Sequence, residues 1–261
     1  MDKKDYDDKV LEHLNDENTY KKLNQNPSSS LRNKINSTLK RLHDQCIFNK
    51  FQYEMVFAKT SIIPLFYALF KTHKPGNPIR PIVSFIDSPS YNIAKFISKL
   101  LMPFTNNSTH KLKNSADLKE KLQSYVVPTG YKLISFDVKS LFTCIPQYFA
   151  VECTKEFLQK NPDIFQKTKM NIAEICKLIE LCFEAAVFSF NRIYYKQITG
   201  TPMGSPVSVL LAEIVMQKVE ELIMPLINDR KLFWYRFLRS CHVASRNNTK
   251  CEEYGWFTTG F

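Results

Sequence analysis

The chain has 261 residues, 44% of them hydrophobic, and carries a formal charge of +11 with a pI near 9.2. That length buries one substantial core or two modest ones, and the charge favours a polyanionic partner, nucleic acid before membrane. Seven cysteines without a CxxC pair or zinc spacing exclude a zinc module, and the short apolar run Ser61–Phe70, broken by Pro64, excludes a membrane span.

The first seventeen residues oppose the overall charge. Asp2, Asp5, Asp7, Asp8, Glu12, Asp16 and Glu17 face only Lys3, Lys4 and Lys9, a net −4 that leaves about +15 on the remainder. This acidic leader has no signal-peptide pattern, and the scattered thiols suit a reducing, intracellular setting. Residues 1–27 are expected to form one or two loosely docked helices. Ser28-Ser-Ser30 can cap a helix with Leu31, Ile35, Leu39 and Leu42 on one face, its other face solvated through Arg32, Lys34, Lys40 and Arg41.

From Ile62 to Phe85 the pattern turns β-prone. Lys71-Thr-His-Lys74-Pro-Gly-Asn-Pro-Ile-Arg80-Pro-Ile-Val predicts two strands joined by a Pro-Gly turn. A helix is expected to start at Ser88-Pro89 and end at Pro103, and a weaker one follows Ser115. Tyr131–Phe136 predicts a buried strand ending in Asp137, and Pro146 opens a helix. Ile172, Ile175, Ile179, Cys182 and Phe183 have helical spacing. Val187–Gln197 alternates around Asn191-Arg192 as a hairpin, Gly200–Pro206 is a loop, and Val207–Leu222 is helical until Pro225.

Three groups of residues carry chemistry. Asp137, at a strand end, suits either a turn or cap role or a metal ligand for phosphoryl transfer, which needs further carboxylates. Phe142, five positions on, is either a core aromatic or a ring pressed against a nucleotide sugar to exclude a 2′-hydroxyl. Lys71, Lys74 and Arg80 on one ribbon are either solvated or contacts for a triphosphate. The glycines and prolines of 200–206 give a rigid backbone that a base pair could approach closely.

In this order the motifs resemble the reverse transcriptases of Penelope-like retroelements, relatives of telomerase reverse transcriptase. Lys71–Gly76 with Arg80-Pro-Ile-Val resembles that family's fingers signature, and Ser88-Pro-Ser-Tyr-Asn-Ile-Ala-Lys95 the helix after it. Ser135-Phe-Asp-Val-Lys-Ser-Leu-Phe-Thr-Cys-Ile-Pro146 resembles the motif bearing the first catalytic aspartate. Tyr195-Lys-Gln197 through Gly200-Thr-Pro-Met-Gly-Ser-Pro206 resembles its template- and nucleotide-positioning loop, with Met203 where many wider relatives have Gln. The likeness covers about residues 18–237.

The resemblance implies RNA-directed DNA synthesis on an RNA template and DNA primer from deoxynucleoside triphosphates. Asp137 and the carbonyl of Val138 would bind magnesium, and Lys71, Lys74 and Arg80 would hold the triphosphate. Phe142 would be the sugar gate, Met203-Gly204 would floor the nascent pair, and Gln197 would be a further nucleotide-binding residue. The implied fold is α+β, a right-hand polymerase with an N-terminal helical segment and no thumb. Its parts would be a helical extension (1–45), fingers (46–130), an incomplete palm (131–240) and an unrelated tail (241–261). A nuclear location follows from the same resemblance, and the oligomeric state stays open.

One element departs from the family. Lys231–Phe237 resembles the strand leading to a Tyr-x-Asp-Asp hairpin, yet Leu238, Arg239 and Ser240 follow, a cation and a hydroxyl replacing the aspartate pair. Such a cation beside Asp137 opposes metal binding. The expectation is a decayed or truncated reverse transcriptase domain without polymerase activity. The alternatives are a non-catalytic nucleic-acid-binding protein, or an enzyme recruiting Asp229 or a partner chain.

Overall fold

The computed structural model describes residues 2–72, 75–138, 140–227, 231–237 and 240–246. Nine α-helices among these residues are α1 (Lys3–Leu14), α2 (Ser28–Asp44), α3 (Lys50–Val56), α4 (Tyr91–Leu101), α5 (Ser115–Leu122), α6 (Leu141–Cys144), α7 (Gln147–Lys160), α8 (Ile172–Glu184) and α9 (Pro206–Ile227). The strands are β1 (Tyr20–Leu23), β2 (Phe66–Phe70), β3 (Ile79–Val83), β4 (Tyr131–Asp137), β5 (Val187–Phe190), β6 (Ile193–Gln197), β7 (Lys231–Phe237) and β8 (Ser240–Arg246). They form a β1-β6-β5 sheet, a β2-β3 ribbon and a β4-β8-β7 sheet. The mixture of helices and strands is the one the sequence pattern predicts.

Two hydrophobic clusters organise these elements. The larger joins α2, α4, α7, α8 and α9 to one face of the β4-β8-β7 sheet. Its helices follow from apolar spacing: Ile35, Leu39 and Leu42 of α2 are buried, as are Ile175, Ile179, Cys182 and Phe183 of α8. Helix α8 opens on a capping box, in which Asn171 Oδ1 accepts from Glu174 N–H (2.9 Å) and Glu174 Oε2 from Asn171 N–H (2.7 Å). Pro225 lies in the last turn of α9, where it removes one hydrogen bond, so the helix runs on to Ile227.

The smaller cluster holds α1, the ribbon and the β1-β6-β5 sheet together around Phe66, Val83, Phe188, Phe190 and Tyr195. The leader expected to dock loosely is part of this core: Val10 is fully buried, Leu14 and Tyr20 nearly so. Helix α1 buries only two side chains, which is why its charged composition hid its role. Strand β1, not foreseen from sequence, pairs antiparallel with β6, Tyr20 opposite Gln197. The β5–β6 hairpin turns at Asn191 and Arg192, both with positive φ (48° and 64°), as a two-residue turn of primed type requires.

Two further differences matter for the site. Strand β4 is not buried on both faces: Ile134 and Phe136 pack on the core, while Leu133 is 65% exposed and Ser135 and Asp137 are exposed. It is a sheet edge among the described residues, so one face meets solvent. Residues 240–246, largely within the stretch expected to be a foreign tail, form β8 and sit centrally between β4 and β7. Backbone pairing needs no hydrophobic run, and Cys241 supplies a fully buried anchor. The rest of that tail, 247–261, lies outside the described residues.

Candidate functional site

Asp137 ends β4 and pairs in register with Ser240, which in turn pairs with Phe237 across the β7–β8 hairpin. The chain therefore sets Asp137 beside the hairpin tip at which a paired-aspartate motif is expected. Ser240 holds the second of those positions; Leu238 and Arg239 lie outside the described residues, as does Asp229. Cys241, next along β8, is fully buried, and burial pushes its thiol up to about 12, with the charges of Glu220 and Asp137 adding. Among the described residues no three or more His, Cys, Asp or Glu side chains converge to hold a metal ion.

Beyond Asp137 the chain turns at Ser140, whose positive φ of 55° is unusual outside glycine, and enters α6. Phe142 on α6 is 39% exposed, so it is a surface ring and not a core aromatic. Its carbonyl accepts hydrogen bonds from Thr201 N–H (2.7 Å) and Thr201 Oγ1 (3.1 Å), seating the 200–206 loop on the turn that follows Asp137.

The glycines of this loop are contact points with no room for a side chain. A Cβ on Gly200 would lie 2.6 Å from the Phe142 carbonyl oxygen, and one on Gly204 would lie 1.9 Å from that of Val83. Both have positive φ, 81° and 82°. The loop thereby bridges the turn after Asp137 to the end of β3, the strand that carries Arg80.

Gln197 shapes this bridge from within. It is 2% exposed, donates from Nε2 to the carbonyls of Thr199 (2.8 Å) and Thr201 (3.0 Å), and accepts at Oε1 from Met203 N–H (3.4 Å). Its amide is committed to the loop backbone. Met203 is half-buried and packs on the smaller core. The N-terminal segment holds the loop from the other side, Thr19 carbonyl accepting from Ile198 N–H at 2.9 Å.

On the ribbon, Arg80 is exposed and pairs across from Leu69, and Lys71 follows β2, half-buried. Lys74 lies outside the described residues. The register puts Tyr67, Leu69, Arg80 and Ile82 on the face away from the core, with Tyr67 46% and Leu69 51% exposed. This face joins aromatic and apolar surface to a cation.

A second feature escaped sequence reading. Arg236 of β7 is fully buried between two glutamates of α9. Its Nη1 and Nη2 each donate to Glu213 at 2.9 Å, and its Nε donates to Glu220 at 2.8 Å. Trp234 Nε1 also donates to Glu220 (3.1 Å), Gln217 Nε2 donates to Glu213 (2.9 Å), and Lys111 lies 3.8 Å from Glu213. Burial pushes the Glu213 carboxyl up, but Arg236 bonding and charge, with Gln217 and Lys111, outweigh it and leave the carboxyl below its ordinary range. Burial also opposes the Arg236 charge, and the two glutamates more than restore it. The signal was present as two acids seven residues apart on an apolar helix and a cation among strand aromatics. Nothing in the spacing told which acid met which cation.

This cluster fixes the β7–β8 hairpin on α9. Residues 110–112 cover the outer edge of β7, Arg236 N–H donating to the His110 carbonyl and Leu112 N–H to that of Arg236, both at 2.7 Å. Strand β7 is thus held at Arg236 from two sides, while Asp137 at the end of β4 is exposed.

No protein family and no curated protein matches this sequence. Among solved structures, the chain is similar to telomerase from Candida tropicalis in complex with the TWJ fragment of telomeric RNA. That likeness has 12% identity and a TM-score of 0.55 over 73% of this chain and 37% of that one. It is also similar to telomerase from Candida albicans in complex with such a fragment, at 10% identity and a TM-score of 0.52 over 75% of this chain and 40% of that one. The fold is telomerase reverse transcriptase-like, and the chain spans at most two-fifths of either of these proteins. Among the described residues no helix is long and apolar enough to cross a membrane.

Proposed function

We propose that this chain is a reverse transcriptase-like domain of Penelope-like retroelement origin that keeps nucleic-acid and nucleotide contacts and lacks polymerase activity. The observation that carries this reading is the register of β4 with β8, in which Asp137 stands opposite Ser240 at the hairpin tip. Two magnesium ions on a transferring phosphoryl group need several carboxylates, and losing them removes several kcal/mol of transition-state stabilisation. In the proposed site Lys71, Lys74 and Arg80 attract the triphosphate, Phe142 lies against the sugar, and Met203 with Gly204 supports the base pair. A nuclear location and an RNA template with a DNA primer belong to the same proposal.

Primer extension on an RNA template with magnesium tests it. Efficient incorporation that disappears in Asp137→Ala refutes the loss of activity. A second reading, a non-catalytic nucleic-acid-binding protein, is favoured by the basic body and by the exposed ribbon face carrying Tyr67 and Arg80. Salt-sensitive binding unchanged by Asp137→Ala selects it, whereas magnesium-dependent nucleotide binding lost in that variant selects a residual active site.

A further inference from the structure

One face of the β1-β6-β5 sheet is spent on the smaller core, through Tyr20, Phe188 and Tyr195. Strand alternation therefore sends Lys21, Leu23, Tyr194 and Lys196 to the other face. There the register sets Lys21 directly opposite Lys196, and Leu23 opposite Tyr194. Like charges so opposed, with Cβ atoms about 4.5–5.5 Å apart, destabilise a strand pair. Lysine on an edge strand guards it against further pairing, which accounts for Lys21 on β1. It does not account for Lys196, because β6 is the middle strand. Lys21 is exposed and Lys196 half-buried, and neither forms an ion pair among the described residues.

The pattern continues along β6. Arg192, Tyr194 and Lys196 recur at every second residue, a span of about 13 Å. Arg192 is exposed in the hairpin turn at a φ of 64°, where glycine or asparagine is at ease and arginine is unusual. Tyr194 is half-buried, and its ring meets no other ring among the described residues. Cations flanking an unstacked ring complement a single strand of nucleic acid, whose phosphates carry the opposite charge and whose bases offer flat faces. We propose that Lys21 and Lys196 hold a phosphate of single-stranded nucleic acid between them, with Arg192 on a neighbouring phosphate and a base stacked on Tyr194. The bound phosphate also relieves the repulsion between the two lysines. This surface adds to the proposed nucleotide site and depends on neither Asp137 nor the ribbon.

The test uses the full chain and a fluorescein-labelled oligothymidylate, read by anisotropy across a salt series. Lys21→Gln/Lys196→Gln removes the opposed pair, and Lys40→Gln/Arg41→Gln removes the same charge from exposed positions on α2. Each lost phosphate contact on a single strand lowers the salt slope by about 0.7, so the first variant should lose about 1.4 and the control nothing. The native chain's advantage over that variant should then shrink about sevenfold between ~0.05 M and ~0.2 M salt. Tyr194→Leu should weaken binding about tenfold with the slope unchanged. Lys21→Glu separates binding from folding: it places opposite charges across the strands, so the urea midpoint should rise while affinity falls. Equal slopes and affinities for the lysine and α2 variants overturn the inference. So does native affinity in Tyr194→Leu together with displacement of the oligonucleotide by polyglutamate as readily as by unlabelled oligothymidylate, which marks a surface for any anion. Self-association of Lys21→Gln/Lys196→Gln at native affinity overturns it too, leaving the lysines as edge guards alone.

Discussion

Replacing Arg236 by Met tests whether the buried cluster holds the β7–β8 hairpin in place. The change removes a guanidinium that satisfies both Glu213 and Glu220, each within 2.9 Å, and leaves two carboxylates in a site that is at most 5% exposed. Removing one partner of a buried pair costs about 3–5 kcal/mol, because the remaining charge keeps its desolvation penalty. Lys111 stands too far from Glu213, at 3.8 Å, to replace the two short bonds lost there. With a urea slope of about 3 kcal/mol per M, the unfolding midpoint should fall by about 1–1.7 M. Trp234, whose indole donates to Glu220, reports the transition by fluorescence. The triple variant Arg236→Met/Glu213→Leu/Glu220→Leu should recover most of the loss, since apolar replacement of a whole buried cluster is often neutral or better. A single variant within about 0.5 kcal/mol of the native chain, where surface substitutions fall, refutes the assignment.

Gly204→Ala should destabilise the chain by about 2 kcal/mol or more, because positive φ and a Cβ 1.9 Å from the Val83 carbonyl oxygen act together; chemical denaturation measures it. Gln197→Leu should cost about 2 kcal/mol by stranding two carbonyls, and hydrogen exchange at Met203 should accelerate. Stability should fall in acid through Glu213. Its native pKa lies below the ordinary 4.5, so its contribution is complete above 4.5 and drains away as pH falls through the lower native value. Glu213→Gln should flatten that part of a stability–pH curve. Restoring the acids with Arg239→Asp/Ser240→Asp should raise magnesium-dependent primer extension at least about a hundredfold, in a manner that Asp137→Ala abolishes. No gain would argue that more than the aspartate pair has been lost.

Periodicity alone located the helices of the larger core: Ile35, Leu39 and Leu42, then Ile175, Ile179 and Cys182, fall on one face wherever the chain is cut. The Asn191-Arg192 turn and the proline-framed ribbon were equally legible, because turn geometry is local. The missing aspartates after Phe237 are a matter of sequence too. The tertiary structure alone decided which strands lie side by side. It placed β8 between β4 and β7, brought Asp137 opposite Ser240, and gave the charged leader a place against the ribbon. It also turned Glu213, Glu220 and Arg236 from scattered charges into one buried cluster. Pairings between residues far apart in the chain depend on packing free energy, to which no window of neighbouring residues is sensitive.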